Sequence, residues 1–201
     1  MPAVDTAPVD AARTRARSRG FSVVELMVAI VVVGILAATA LPSFREIGRR
    51  MNVTSTTNDL VGALATARAE AAKRGAWVAV IGPGPNWSTG WHVEADAATP
   101  PAAPNHQFGD PTDVVISQYP AVANGYGVTT KVTNGNGGNT RIVFGPVGNL
   151  VDGTAGAVVT ADINICRPDS NPGQPRWIHI QSSGEIVSRR DTSTSPAPEC
   201  N

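Results

Sequence analysis

The chain has 201 residues, 16 basic and 16 acidic side chains and a formal net charge of zero, which excludes a global electrostatic pull toward nucleic acid or acidic lipid. Charged residues make up only 16% of the chain, while 20 glycines and 16 prolines favour a loop-rich β domain over a helical bundle. Two cysteines leave no second pair for a cysteine-built zinc site.

Residues 1–20 are polar, contain Pro2 and Pro8, and end in the basic series Arg13, Arg15, Arg17 and Arg19. From Phe21 to Leu41 the chain is apolar, and as a helix it spans roughly 31 Å, close to the ~30 Å hydrocarbon core of a bilayer. Glu25 interrupts the run. A charge inside a bilayer costs roughly 2.5–3.5 kcal/mol on insertion scales and is tolerated when a partner neutralises it. The simplest partner is a new α-amino group, created by a cut between Gly20 and Phe21. An ordinary secretory signal has a shorter apolar core followed by a small-residue cleavage site. A plain, unprocessed anchor leaves Glu25 unexplained. Arg45, Arg49 and Arg50 follow the span, so charge asymmetry alone does not orient it.

Beyond Pro42 the helical pattern resumes. Val53, Leu60, Leu64, Ala67 and Ala71 form an apolar stripe at helical period, Arg68, Glu70, Lys73 and Arg74 decorate the other side, and Gly75 is a natural stop. One helix is therefore predicted from Phe21 to about Arg74, apolar all round in its first half and amphipathic in its second. From Trp77 on, short β-like runs alternate with turn residues. The predicted strands are Ala76–Ile81, Gly90–Glu94, Asp113–Gln118, Gly127–Val132, Thr140–Phe144, Ala157–Ile165, Arg176–Gln181 and Glu185–Arg189, with a tight turn at Ser182-Ser183-Gly184. Pro100 to Pro111 and Asn134 to Asn139 read as loops. The second lacks the Gly-Lys-Ser/Thr ending and the following helix that a phosphate cradle requires.

No catalytic constellation stands out, and the chain is read as a non-enzyme without cofactor or metal. His92, His106 and His179 are scattered, without metal-ligand spacing. Glu94 and Asp96, two apart on one strand, are read as a polar sheet face rather than an acid/base pair or a calcium ledge. Trp77, Trp87, Trp91 and Trp177 are read as packing.

The segment Gly20-Phe21-Ser22-Val23-Val24-Glu25, with its basic leader, resembles the type III signal of type IV pilins and type II secretion pseudopilins. Ala67-Arg68-Ala69-Glu70-Ala71, Gly90-Trp91-His92-Val93 and Phe144-Gly145-Pro146-Val147-Gly148 resemble, in order, motifs of the GspH/FimT branch of minor pilins. The resemblance implies an α+β pilin-like fold, a long N-terminal helix packed on an antiparallel β-sheet domain. Its divisions are a cleaved leader (1–20), a transmembrane and fibre-core helix (21–50) and a periplasmic globular domain (51–201). It also implies cleavage after Gly20 and methylation of Phe21 by a prepilin peptidase. The protein is then held in the bacterial inner membrane as a single-pass protein, N-terminus cytoplasmic. With an inner-membrane assembly platform it enters a fibre of other pilins or pseudopilins. Glu25 is assigned to assembly through the Phe21 amine. In an exported domain the isolated Cys166 and Cys200 are expected to form one disulfide, the alternative being two free buried thiols.

Two other classes remain, a DNA-binding minor pilin for natural transformation and a membrane-anchored periplasmic enzyme or receptor. Some fimbrial relatives carry a basic Gly-Arg-x-Arg on the last hairpin. Here the stretch is Gly184-Glu185-Ile186-Val187-Ser188-Arg189-Arg190, with a carboxylate in place of the first arginine. Arg176, Arg189 and Arg190 are the residues available for a basic patch. Neutral overall charge disfavours DNA, whose affinity comes largely from clustered Lys and Arg. An anchor has no use for Gly20-Phe21 and Glu25. The choice between a type II secretion pseudopilus and a type IV pilus is not written in the residues.

Overall fold

A helix that is apolar all round in one half and striped in the other has two different things to do with its surface, and α1 (Val23–Arg74) has both halves. The computed structural model describes residues 20–97, 106–133, 138–153, 156–168 and 176–190. Outside them lie the expected leader before Gly20, part of the Pro100–Pro111 loop, residues 134–137 of the glycine-rich loop, and Cys200. The chain divides into two compact units, residues 1–44 and 45–201.

In the first unit the large apolar side chains from Phe21 to Leu36 are exposed, Phe21 at 82% and Ile35 and Leu36 at 62%. Among the described residues α1 is the one helix long and apolar enough to cross a membrane. Its amide ladder starts with Leu26 N–H donating to Ser22 O at 3.1 Å.

In the second unit the predicted stripe is the buried face. Val53, Leu60, Leu64, Ala67 and Ala71 are buried, joined by Ala63. Burying a Leu side chain stabilises by roughly 1.5–3 kcal/mol, so the two leucines anchor the helix. After Arg74, Ala76 N–H donates to Ala71 O at 3.3 Å, the six-to-one bond of a Schellman stop around Gly75.

Two antiparallel sheets cover the stripe. One has the order β3 (Val114–Tyr119), β2 (Trp91–Ala95), β1 (Val78–Ile81), β5 (Arg141–Phe144), β6 (Leu150–Val151). The other runs β4 (Gly127–Thr133), β7 (Thr160–Cys166), β8 (Arg176–Ile180), β9 (Ile186–Arg190). Eight of the nine strands among the described residues coincide with predicted ones. The two-residue β6 is too short to carry an alternation and is held by pairing with Val143 and Phe144. Val78, Val80, Val93, Ile142 and Phe144 share one core with the helix stripe and with Ile163, Ile165, Ile178 and Ile180 of the second sheet. The opposite face of the first sheet is also covered, Ala79 and Val143 packing with Trp77, Val151 and Phe108. Burial on both faces accounts for the unbroken apolar run Val78-Ala79-Val80.

The two sheets meet at a junction organised by Arg68. Its Nε donates to Gly148 O at 3.0 Å, in the turn between β5 and β6, and an Nη to Ser183 O at 3.2 Å, in the turn between β8 and β9. Leu150 N–H adds a bond to Ser182 O at 3.0 Å. Arg68 lies on the exposed side of the helix as expected, and its length lets the guanidinium also reach two backbone carbonyls. Gly184 completes the contact: a Cβ there would stand 1.9 Å from Gly148 O, at a φ of +77°. Gly90, at φ +110°, likewise lets the chain pass Tyr119 O before Trp91 stacks on Tyr119 at 5.5 Å.

Gly184→Ala is expected to lower stability by about 2–4 kcal/mol, from left-handed backbone strain and the clash with Gly148. Thermal unfolding of the detergent-solubilised chain checks this, and a midpoint equal to the unsubstituted protein's would contradict the close approach of the two turns.

Candidate functional site

Gly20 and Phe21 are exposed immediately before α1, and Glu25 lies in the first helical turn. Ser22 precedes the helix and Glu25 follows three residues later, the spacing of a capping box, and a carboxylate there is favoured by the amino-terminal end of the helix dipole. This local role of Glu25 was legible in the sequence and went unread.

Cys166 ends β7 opposite Gly127 and is disulfide-bonded. The next residue forms an ion pair with one partner buried. Arg167, with a side chain 1% exposed, donates Nη1 to Glu46 Oε1 at 2.9 Å and Nη2 to Glu46 Oε2 at 2.7 Å, a bidentate fork between the sheet and the helix. Arg50, one turn on from Glu46, donates its Nε to Oε1 at 2.9 Å. The hydrogen bond from Arg167, then that from Arg50, holds the Glu46 carboxyl down at about 2 against an ordinary 4.5. Glu46 lies beyond the apolar span, which ends at Leu41. Nearer the helix end, Glu70 pairs with Arg74 at 2.7 Å and Lys73 at 3.0 Å, and Arg74 foremost lowers its pKa.

Of the three arginines proposed as a patch, two come together. Arg176 and Arg190 stand directly opposite each other on β8 and β9, whereas Arg189 pairs with Trp177 and by strand alternation faces the other side of the sheet. Arg176 and Arg190 line a shallow pocket with Arg50, Val53, Thr54 and Arg167. Glu185, the carboxylate in place of the first arginine, sits at the turn end of the hairpin, five residues or roughly 17 Å along the strand from Arg190. Asp191 and Glu199 lie outside the described residues. The sequence offered only the four-residue spacing of Glu46 and Arg50 as a hint of this cluster; Arg167 carried no signal.

Glu94 and Asp96 are not a polar sheet face: both are buried. Gly109 N–H donates to Glu94 Oε1 and His106 N–H to Asp96 Oδ2 at 2.9 Å, while His106 stacks on Trp77 at 3.7 Å. The carboxylates tie the loop after residue 105 onto β2, and the loop amides in turn satisfy oxygens that burial removes from water. His92 lies 3.1 Å from Glu94, and His179 Nδ1 2.7 Å from Asp162 Oδ1 beside Trp177. Trp77, Trp87 and Trp91 are buried packing residues as expected.

An apolar helix that continues into an amphipathic half packed on antiparallel sheets defines a pilin-like protein. The family model described as type II transport protein GspH matches residues 56–184, and that of the prokaryotic N-terminal methylation motif matches residues 15–41. The chain belongs to the GspH family and is a minor pilin or pseudopilin, a subunit of a pilus or pseudopilus. Among solved structures it is similar to the type IV minor pilin FimU of Pseudomonas aeruginosa, at 18% identity and a TM-score of 0.48, covering 70% of this chain and 94% of that one. The minor pseudopilin EpsH of the Vibrio cholerae type 2 secretion system matches at 9% identity and a TM-score of 0.48, covering 71% and 99%. A comparison with curated proteins gives no match.

Because the folded pKa of Glu46 lies below its ordinary value, the stabilisation it brings is complete above pH 4.5 and is lost as pH falls toward about 2. Glu46→Gln, which removes the carboxylate from the Arg167 fork, is expected to be less stable than the unsubstituted chain at pH 7. The difference should shrink across that acid window. Urea unfolding at a series of pH values reads it; a gap that stays constant down to pH 2 rejects the assignment.

Proposed function

We propose that this subunit is made with a leader that a prepilin peptidase removes after Gly20, methylating the new amine of Phe21. It then waits in the inner membrane with its globular domain in the periplasm until an assembly platform draws it into a fibre with other pilins. The observation that carries the reading is one carboxylate, Glu25, five residues past a glycine and otherwise surrounded by apolar residues, in a chain whose residues 15–41 match the methylation motif. In hydrocarbon neither the Glu25 carboxylate nor the Phe21 ammonium is stable alone. Their pairing, within a subunit or between neighbours, sets the axial register of packed helices. Cys166 joined to Cys200 closes a loop of about 35 residues, worth roughly 3–4 kcal/mol in the chain-entropy model. The DNA-uptake alternative is not favoured: Arg189 and Arg190 point to opposite faces of their strand, so the hairpin offers no continuous track for phosphates.

Intact-mass measurement of unreduced, membrane-extracted protein is expected to find a chain starting at Phe21, one methyl group heavier, with no thiol reactive to alkylation. Retention of the Arg13–Arg19 leader in a host with an active prepilin peptidase would sink the processing claim, and two alkylated cysteines would sink the disulfide.

Glu25→Val should insert into the membrane as well as or better than the unsubstituted chain, since a costly charge is gone. It should fail to co-purify with partner pilins in sheared fibres. Normal incorporation of the variant would show that register does not depend on Glu25.

A further inference from the structure

The pocket lined by Arg50, Val53, Thr54, Arg167, Arg176 and Arg190 gathers four guanidinium groups in a chain whose net charge is zero. One described carboxylate, Glu46, bonds to this group, and Arg167 and Arg50 already share it. Arg176 and Arg190 make no ion pair with a described residue, although they face each other across adjacent strands. Like charges directly opposite are unfavourable in a sheet unless something neutralises them. From the strand geometry, Glu185 is too far along the hairpin to do so. Arginines converging on one small pocket match a single group with several acceptor oxygens, because the planar fork binds phosphate bidentately. A duplex instead needs arginines spread along a track.

The surroundings select the source of that phosphate. Ile47 and Met51 are exposed at 51% and 67% on the same helix, and Ile47 and Arg50 are neighbours at three-residue spacing. Eight residues lie between Leu41, the end of the apolar run, and Arg50. Exposed apolar side chains beside Arg176 and Arg190, which have no ion-pair partner among the described residues, in a chain segment close to the apolar run, fit the headgroup region, where basic groups gain from anionic lipid. We infer that the Arg50–Arg167–Arg176–Arg190 pocket binds the phosphate of an anionic phospholipid headgroup while the subunit is held in the membrane. Arg167 is already fixed by Glu46, so Arg176 and Arg190 supply most of the selectivity. The inference rests on the membrane-anchored reading above, and flotation with vesicles of phosphatidylcholine alone tests that reading separately: every variant should float.

The test is native mass spectrometry of the full chain in non-ionic detergent, titrated with phosphatidylglycerol and with phosphatidylcholine. Phosphatidylglycerol is expected to bind about thirtyfold more tightly, a preference of the size two arginines give near anionic lipid. Arg176→Ala with Arg190→Ala should bring the two lipids within about twofold, as should the single charge reversal Arg190→Glu at an exposed position. Arg189→Ala, on the other face, should keep the preference. Equal binding of the two lipids by the unsubstituted protein overturns the proposal, as does an equal loss in Arg189→Ala. Glycerol phosphate competing as well as the lipid, mole for mole, would make the ligand a free phosphate ester and reject the lipid source. Displacement of phosphatidylglycerol by micromolar duplex DNA would make the occupant nucleic acid and reject it too.

Discussion

The stripe from Val53 to Ala71 is the constraint on which the globular unit depends. A helix can stand in water only if its apolar face is covered. Here the cover comes from two sheets, because β1, β2 and β5 and the isoleucines of β7 and β8 all contribute to the core that includes Leu60 and Leu64. The large apolar side chains from Phe21 to Leu36 are exposed and bury nothing within their own unit. The two halves differ only in sequence pattern, and that difference separates the part that must find lipid or other helices from the part that builds a domain.

Covering one helix with two sheets leaves open how the sheets hold each other, and two arginines of different kinds close that gap. Arg68 bonds to carbonyls in one turn of each sheet, so a single guanidinium ties helix, β5–β6 turn and β8–β9 turn together. Arg167 ties the end of β7 to the helix through Glu46, at the far end of the stripe. Hydrogen bonds from a charged guanidinium to backbone carbonyls, such as those of Arg68, are worth about 1.5–3 kcal/mol each. These contacts also give a physical reason for the motif residues: the arginine after Ala67, the glycine at 148 and the glycine at 184 are three sides of one contact.

The charge distribution follows from the same packing. Net neutrality describes the average over the chain, whereas the fold sorts charges by face. Glu70 is spent on Lys73 and Arg74, Glu94 and Asp96 on loop amides, and Asp162 on His179. Glu46 is shared by Arg50 and Arg167, and Arg176 and Arg190, opposite each other on β8 and β9, make no ion pair with a described residue. A local cationic pocket on a neutral protein is the outcome, and it argues against reading partners from total charge alone.

Much of this protein is set by local pattern. The apolar length from Phe21 to Leu41, the lone Glu25, the helical spacing of the stripe and the strand alternation are all properties of neighbouring residues, so the helix, eight strands and the membrane-facing half were legible directly. Glu94 and Asp96 were misread because alternation tells which residues share a face, not whether a loop later covers it. β6 was missed because two residues carry no period. Arg68, Arg167 and the opposition of Arg176 to Arg190 belong to the tertiary structure alone. Each depends on the register of strands and turns separated by tens of residues in the chain, and long side chains reach whatever that register brings near. The sequence by itself determined which surfaces had to be buried; only the packing of distant strands decided which charges would meet.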